Sequence, residues 1–96
     1  MPVLERRVEE GYLDFCLKNG ILCLKLKLAS ESSWPDRTLL KSGGVMFMEL
    51  KRKGEKPKPL QQFTIDKLTK AGFYAVWSDN LEDAIEKTNI WLRYKL

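Results

Sequence analysis

One apolar segment ends in an acidic and a basic side chain at a spacing that suits joint chemistry. Glu49 and Lys51 follow Val45–Met48. Side chains two residues apart on a β-strand share a face, so these two lie about 6–7 Å apart along the strand. Asp36 offers a second carboxylate on the segment before. Two carboxylates and a lysine can hold a divalent cation beside an activated water, which is phosphodiester-cleaving chemistry. Glu49 and Lys51 alone would equally fit an ordinary strand-end salt bridge.

The composition removes most rival chemistries. The 96 residues include no histidine, which excludes His-based acid–base catalysis, Ser-His-Asp triads and His-ligated zinc. Catalysis would have to come from carboxylates, lysines and a hard metal bound through oxygen. Cys16 and Cys23 show no metal-ligand or redox spacing, and we expect them to be reduced structural thiols.

Positive charge is concentrated in one short segment. Residues 51–58 hold five basic side chains against one acidic side chain, a net charge of +4 that equals that of the whole chain. A basic loop of this kind is typical of a contact with a phosphate backbone, although a solvated turn has the same composition. Its members beyond Lys51 are Arg52, Lys53, Lys56 and Lys58.

Length and hydropathy predict one globular domain over residues 1–96. No apolar stretch approaches the roughly 20 residues of a membrane helix, and Met1–Glu10 is charged rather than signal-like. We therefore expect a cytoplasmic protein that is intracellular, not secreted, and has no membrane partner. We also expect no small-molecule organic cofactor.

Apolar periodicity predicts an α/β fold with the order α-β-β-β-α-β-α. The predicted segments are a helix over 2–18, strands over 21–28, 36–41 and 45–51, a helix over 59–71, a strand over 73–78 and a last helix that Asp79 or Asn80 caps. Hairpin links join the first three strands, and the β-α-β passage indicates a parallel crossover, so the sheet is mixed and flanked by helices.

Patterns within these segments also predict which side chains face the core. Leu22, Leu24, Leu26 and Leu28 alternate along the first strand and would form its buried face. Leu60, Phe63, Leu68 and Ala71 would be the inward residues of the second helix. Tyr94 and Leu96 are candidates for an exposed apolar interface, together with Trp91, for which a position in the core is the alternative.

These residues in this order resemble the PD-(D/E)XK nuclease superfamily, and more closely its VRR-NUC branch. The resemblance covers the chain from about Glu5 to Ala84 and implies a restriction-endonuclease-like core. The residues that carry it are the glutamates of the first helix, Lys25, Pro35-Asp36-Arg37, the run from Val45 to Lys51, Pro59-Leu60-Gln61 and Gly72-Phe73.

The resemblance implies a site for Mg²⁺ or Mn²⁺. Asp36 and Glu49 would be direct metal ligands, with the Leu50 carbonyl as a backbone ligand. Lys51 would orient or help deprotonate the attacking water, and Gln61 would contact the water or the lysine. A surface glutamine is the alternative for Gln61. The implied products carry 5′-phosphate and 3′-hydroxyl ends.

Three assignments stay open at the sequence level. The first-helix metal ligand is Glu5, Glu9 or Glu10, and the register of the helix against Gly20 and Lys25 favours Glu9. Lys25 either contacts phosphate or forms a structural ion pair. Trp34 either stacks on a base or anchors its loop. Arg37, together with the basic segment, is expected to contact DNA.

We expect a metal-dependent endonuclease that recognises DNA structure rather than sequence, because a basic loop contacts backbone and not bases. Resemblance to small stand-alone members suggests branched DNA, such as four-way (Holliday) junctions, cut by a homodimer. Paired cuts on a two-fold substrate need two sites related by a two-fold axis. The alternatives are a nuclease of another class (flap, single-strand or restriction-like) and a non-catalytic DNA-binding module on the same fold.

Overall fold

The computed structural model describes residues 3–30 and 32–94, with side chains from residue 7 onward. The elements are α1 (Val3–Lys18), β1 (Leu22–Leu24), β2 (Arg37–Lys41), β3 (Gly44–Leu50), α2 (Pro59–Lys70), β4 (Tyr74–Ser78) and α3 (Leu81–Tyr94). The predicted α-β-β-β-α-β-α order is confirmed. None of the helices in the described part is long and apolar enough to cross a membrane.

The four strands form one mixed sheet in the order β1-β2-β3-β4. The first three are antiparallel neighbours, and α2 carries the chain across so that β4 runs parallel to β3. Ser42 (φ 50°) and Gly43 (φ 81°) form the two-residue turn between β2 and β3. Positive φ at both positions gives the hairpin its right-handed twist and sets the β2–β3 register.

Helices cover both faces of the sheet because β3 carries apolar side chains on both of its faces. Met46 and Met48 are fully buried on the face covered by α1 and α3, together with Tyr12 and Trp91. Phe47 points to the other face and packs with α2 through a second cluster that includes Ile65, Leu68 and Ala75. Glu49 is on this second face, two residues after Phe47.

The first strand is shorter than predicted, and the prediction of its buried face was wrong. The strand covers Leu22–Leu24, and the Leu22 side chain is 56% exposed. Leu26 and Leu28 lie beyond the strand and are also exposed. Cys23 instead packs against the buried cluster under α1. Alternation defines two faces of a strand but does not say which one a helix will cover.

The inward face of α2 was also predicted wrongly in part. Leu60 and Phe63 are 56% and 60% exposed, whereas Thr64 and Ile65 are buried beside the correctly predicted Leu68. The Thr64 hydroxyl is hydrogen-bonded to the Ser33 hydroxyl of the β1–β2 connection. The covered side of α2 therefore combines this polar contact with the apolar packing of Ile65 and Leu68.

Trp91 is a core residue and not an interface residue, because its side chain is only 2% exposed. It packs in the cluster beneath α1 and α3. Tyr94 is exposed, as expected. Leu96 lies outside the described residues.

Tyr12 should make the fold sensitive to alkaline pH. Its buried hydroxyl is 2.6 Å from Thr88 Oγ1, and Thr88 in turn donates to the Ala84 carbonyl. Burial raises the pKa of Tyr12 well above its ordinary value of about 10. At a pH above about 10, the unfolded protein therefore loses the Tyr12 hydroxyl proton, whereas the folded protein keeps it. Its contribution to stability is complete below pH of about 10 and is lost progressively as the pH rises further.

We expect Tyr12→Phe to flatten this loss. Above pH of about 10, its free energy of unfolding should fall less steeply than that of the parent protein, by up to about 1.4 kcal/mol per pH unit. Urea unfolding between pH 8 and pH 11 measures the slope. Tyr94→Phe, which changes an exposed tyrosine, is the matched control and should keep the parental slope. Equal slopes in Tyr12→Phe and the parent would contradict the prediction.

Candidate active site

Asp36 and Glu49 hold each other at the end of the β2–β3 ladder. The last paired residues are Arg37 and Met48, so Asp36 stands opposite Glu49. The Asp36 N–H donates to Glu49 Oε1 at 3.1 Å, and the Leu50 N–H donates to Asp36 Oδ2 at 2.9 Å. Each carboxylate thus binds the backbone of the opposite strand, and the two are fixed as one unit.

Gln61 links this unit to Lys51. Its Nε2 donates to Glu49 Oε2 at 3.0 Å, and its Oε1 accepts from Lys51 Nζ at 3.3 Å. The same Oε1 accepts the Lys58 N–H at 2.8 Å. Two donors on one side and a carboxylate on the other determine the orientation of the amide. The sequence left open whether Gln61 belongs to the site or is a surface residue. The structure places it beside Glu49 and Lys51.

The beginning of α2 explains why Gln61 reaches the sheet. Lys58 is the N-cap residue and Pro59 opens the helix, where its missing N–H costs nothing. Gln61 is the third helical residue, and its side chain bends back to the N-cap N–H, as the N3 residue of a capping box does. A local helix-start contact therefore positions a side chain of the candidate site.

Glu49 is a buried carboxylate in a polar pocket. Glu49 is only 2% exposed, and Lys51 Nζ lies 3.9 Å from Glu49 Oε2. The Lys51 side chain is itself mostly buried. Taking a carboxylate from water is costly unless donors or a cation compensate it. The Asp36 N–H, the Gln61 amide and the Lys51 ammonium supply that compensation.

The donor set fits a hard divalent cation. Asp36 and Glu49 supply carboxylate oxygens at one strand end. The Leu50 N–H points to Asp36, and in an extended strand the carbonyl of the same residue faces the same edge. Mg²⁺ is commonly bound by one or two carboxylates while it keeps several waters. No group of three or more Asp, Glu, His or Cys residues in a metal-binding arrangement occurs in the part of the chain that the structure describes.

Glu9 lies on the other face of the sheet, where it forms an ion pair with Arg37. Arg37 is also mostly buried, and its Nε has no hydrogen-bond partner among the described residues. The two side chains are thus engaged with each other between α1 and the sheet. Glu10 is exposed, and the side chain of Glu5 lies outside the described residues.

The basic turn over residues 51–58 is held in a defined shape. Arg52 forms an ion pair with Glu55 inside the turn, and the Gly54 N–H donates to Asp79 Oδ2 at 3.0 Å. The Gly54 hydrogen bond lowers the pKa of Asp79. Asp79 was expected as a possible helix cap, but Asn80 caps α3 by accepting the Asp83 N–H. Lys53, Lys56 and Lys58 remain exposed along the turn.

An open groove of about 290 Å³ lies beside Asp36. Its walls are Lys25–Leu28, Ser32 and Trp34–Asp36. Lys25 is exposed here, just after β1 and not within it. Trp34 packs edge-on against Phe47, with ring centroids 5.3 Å apart, and donates to Thr38 Oγ1. These contacts favour the loop-anchoring role of Trp34.

Sequence reasoning missed the residues that support the site from outside the motif. Ser33 and Thr64 join the loop before Asp36 to α2, and Asp79 anchors the basic turn. Their sequence signals are weak, because a serine, a threonine or an aspartate at a loop or helix position has many ordinary uses.

Several solved structures share this fold. One, titled "VRR_NUC domain", superposes with a TM-score of 0.83 at 23% sequence identity, covering 92% of this chain and 97% of its own. Another, titled "VRR_NUC domain protein", gives a TM-score of 0.78 at 17% sequence identity, and the match covers 97% of this chain and 91% of the other. No protein-family model and no curated protein matches the sequence. The resemblance to VRR-NUC domains is thus confirmed for the fold, over nearly the whole chain.

Proposed function

We propose that this protein is a metal-dependent, structure-selective DNA endonuclease that cleaves phosphodiester bonds in branched DNA. The observation that carries the proposal is the connected set of Asp36, Glu49, Lys51 and Gln61. Two fixed carboxylates and an ammonium group on one strand end are the groups that this reaction needs. The shared fold with VRR_NUC domains supports the same reading.

Each side chain has a separate role in the proposed reaction. Asp36 and Glu49, with the Leu50 carbonyl, would hold Mg²⁺ or Mn²⁺. When bound, the cation would lower the pKa of a water and polarise the scissile phosphate. Lys51 orients the attacking water and stabilises the negative charge that develops on the phosphate. Gln61 holds the Lys51 ammonium toward the site, since its Oε1 accepts from Lys51 Nζ.

The surface around the site suits a phosphate backbone. The basic turn continues directly from Lys51, and Lys25 is exposed in the groove that Asp36 also lines. Arg52, Lys53, Lys56 and Lys58 would contact phosphates and so position the strand without reading its sequence. The buried ion pair with Glu9 makes Arg37 the weakest of the expected phosphate contacts.

A four-way junction is the proposed substrate, and a homodimer is the proposed active form. The support is a symmetry argument, since two related cuts need two related sites. The interface is not assigned to Trp91, which is buried.

The test is a cleavage assay with the purified protein on labelled four-way junctions, flaps, linear duplex and single strands, each with Mg²⁺, Mn²⁺ or EDTA. We expect paired, symmetric cuts in junctions only, with either metal and not with EDTA. Sedimentation with and without DNA gives the oligomeric state in parallel, and a strict monomer in both conditions would contradict paired cutting by a dimer.

The other outcomes identify the alternatives. Cleavage of flaps, single strands or linear duplex in preference to junctions would assign the same site to another class of nuclease. A junction that shifts on a gel but is cut under no condition would identify a non-catalytic DNA-binding module.

A further inference from the structure

Helix α2 carries two exposed apolar side chains beside the candidate active site. Leu60 and Phe63, here called the α2 apolar pair, are 56% and 60% exposed. Residues three apart on a helix are surface neighbours, so the two form one patch. Gln61 lies between them in sequence but turns to the sheet, where it binds Glu49. The patch thus starts one residue away from a side chain of the site.

The α2 apolar pair lies in the most basic part of the chain. Residues 51–70 contain seven basic side chains and two acidic ones, a net charge of +5, whereas the whole protein carries +4. Lys58 precedes the pair, and Asp66 and Lys67 lie one helical turn after Phe63, all three exposed. Apolar side chains in a segment of net positive charge fit a partner that offers phosphates and apolar faces together.

The first turn of α2 lies at the candidate site, and Leu60 is one helical turn from a residue that contacts the loop before Asp36. Thr64 Oγ1 bonds to the Ser33 hydroxyl and also donates to the Leu60 carbonyl one turn earlier. Leu60 and Thr64 are four residues apart and are thus neighbours on the helix surface, with Thr64 buried against Ser33 and Leu60 exposed. The α2 apolar pair is therefore exposed at the end of α2 that carries Gln61 to the candidate site.

We propose that the α2 apolar pair is a stacking surface for unpaired bases of the DNA strand that enters the active site, with the Phe63 ring stacked on a base and Leu60 packed beside it. The inference rests on the proposed nuclease function and adds the structural feature of DNA that the site recognises. In an intact duplex, base faces are stacked inside the helix and are not accessible. Unpaired bases present these faces, and side chains that stack on them bind without reading sequence.

The test couples a protein change to a DNA change. Binding is measured in EDTA, so that no cleavage occurs, on a four-way junction with two unpaired thymines at the branch and on one with abasic sites there instead. The parent protein should lose about 10-fold in affinity when the two bases are removed. The double variant Leu60→Ala/Phe63→Ala should bind the thymine junction about 10-fold more weakly and lose less than about twofold further on the abasic junction.

Matched controls separate this effect from general damage. Leu17→Ala changes a leucine that is 79% exposed on α1, and it should retain the parental loss on the abasic junction. Fully paired linear duplex should bind all variants within about twofold of the parent, because it offers no unpaired base. Circular dichroism of the double variant should match the parent, because neither side chain fills the core.

Two outcomes would overturn the inference. One is an equal loss on the abasic junction in the parent and the double variant, which would show no coupling between the pair and the bases. The other is a double variant that dissociates a dimer in sedimentation, which would make the patch an interface between two copies of the chain.

Failure of the proposed function has a different signature. If the binding assay shows coupling between the α2 apolar pair and the unpaired bases but no DNA is cleaved, the proposed nuclease function is refuted and the proposed stacking surface is retained. Cleavage without coupling would refute the stacking surface alone. If no DNA is bound in any form, both proposals fail.

Discussion

Asp36→Asn should reduce DNA cleavage by more than about 100-fold while the protein stays folded and still binds DNA, because outer-shell substitutions at metal sites already cost up to about that factor. Asparagine has one side-chain oxygen, which can still accept the Leu50 N–H that Asp36 Oδ2 accepts now. What it loses is the negative charge that a divalent cation needs. The expected loss is therefore in the chemical step and not in the fold.

Two measurements check this prediction. Cleavage rates at saturating Mg²⁺ and Mn²⁺ give the loss, and junction affinity in EDTA shows whether binding is retained. Asp66→Asn removes an exposed carboxylate from α2 and should leave the rate unchanged. Near-parental cleavage by Asp36→Asn would remove Asp36 from the proposed metal site.

Asp36 is a better position for this test than Glu49, because a substitution at Glu49 would also disturb buried hydrogen bonds. Glu49 accepts from the Asp36 N–H through one oxygen and from Gln61 Nε2 through the other. A glutamine at position 49 would keep one acceptor but place an NH₂ group against the Gln61 NH₂ group, or against the Asp36 N–H. A buried donor without an acceptor costs about 1–3 kcal/mol. Loss of activity in Glu49→Gln would then mix chemistry with stability.

Lys51→Met should lower the cleavage rate by about 10²–10³-fold, the cost of removing one group that stabilises transition-state charge. Methionine keeps most of the apolar length of the side chain, which is largely buried, but has no ammonium group. The loss should appear in the rate at saturating DNA and only weakly in affinity, because Lys51 acts on charge that develops during the reaction. Single-turnover cleavage measures this rate directly.

Lys53→Met is the matched control. It removes an exposed lysine of the same basic turn two residues away. Because that lysine would contact phosphate, the control should weaken affinity modestly and reduce the salt dependence of binding, with the saturating rate unchanged. If Lys51→Met behaves in the same way as Lys53→Met, Lys51 is a phosphate contact and not a catalytic group.

The sequence by itself determined the order of elements and the strand end that carries the site. The short apolar run before Glu49 predicted a buried strand, and the β-α-β passage indicated a parallel crossover. The two-residue alternation then placed Glu49 and Lys51 on one face. These are local properties of the chain, so they can be read without knowledge of the packing.

Tertiary structure determined which faces of the elements are buried and which side chains contact each other. β1 and α2 each have apolar residues on more than one side. Packing of β1 beneath α1, and of α2 against Phe47 and Ala75, determined which side is covered. Packing also placed Glu9 with Arg37 on the face opposite Glu49, a contact that spacing along the chain cannot show.

The fixed geometry of the candidate site is likewise a tertiary property. The bonds between Asp36 and the backbone of β3 depend on the register of two strands, and the Gln61 bridge depends on where α2 begins. A sequence motif names groups that are able to react. Long-range contacts decide whether these groups share one face at hydrogen-bonding distance, because such contacts join residues that are far apart in the chain.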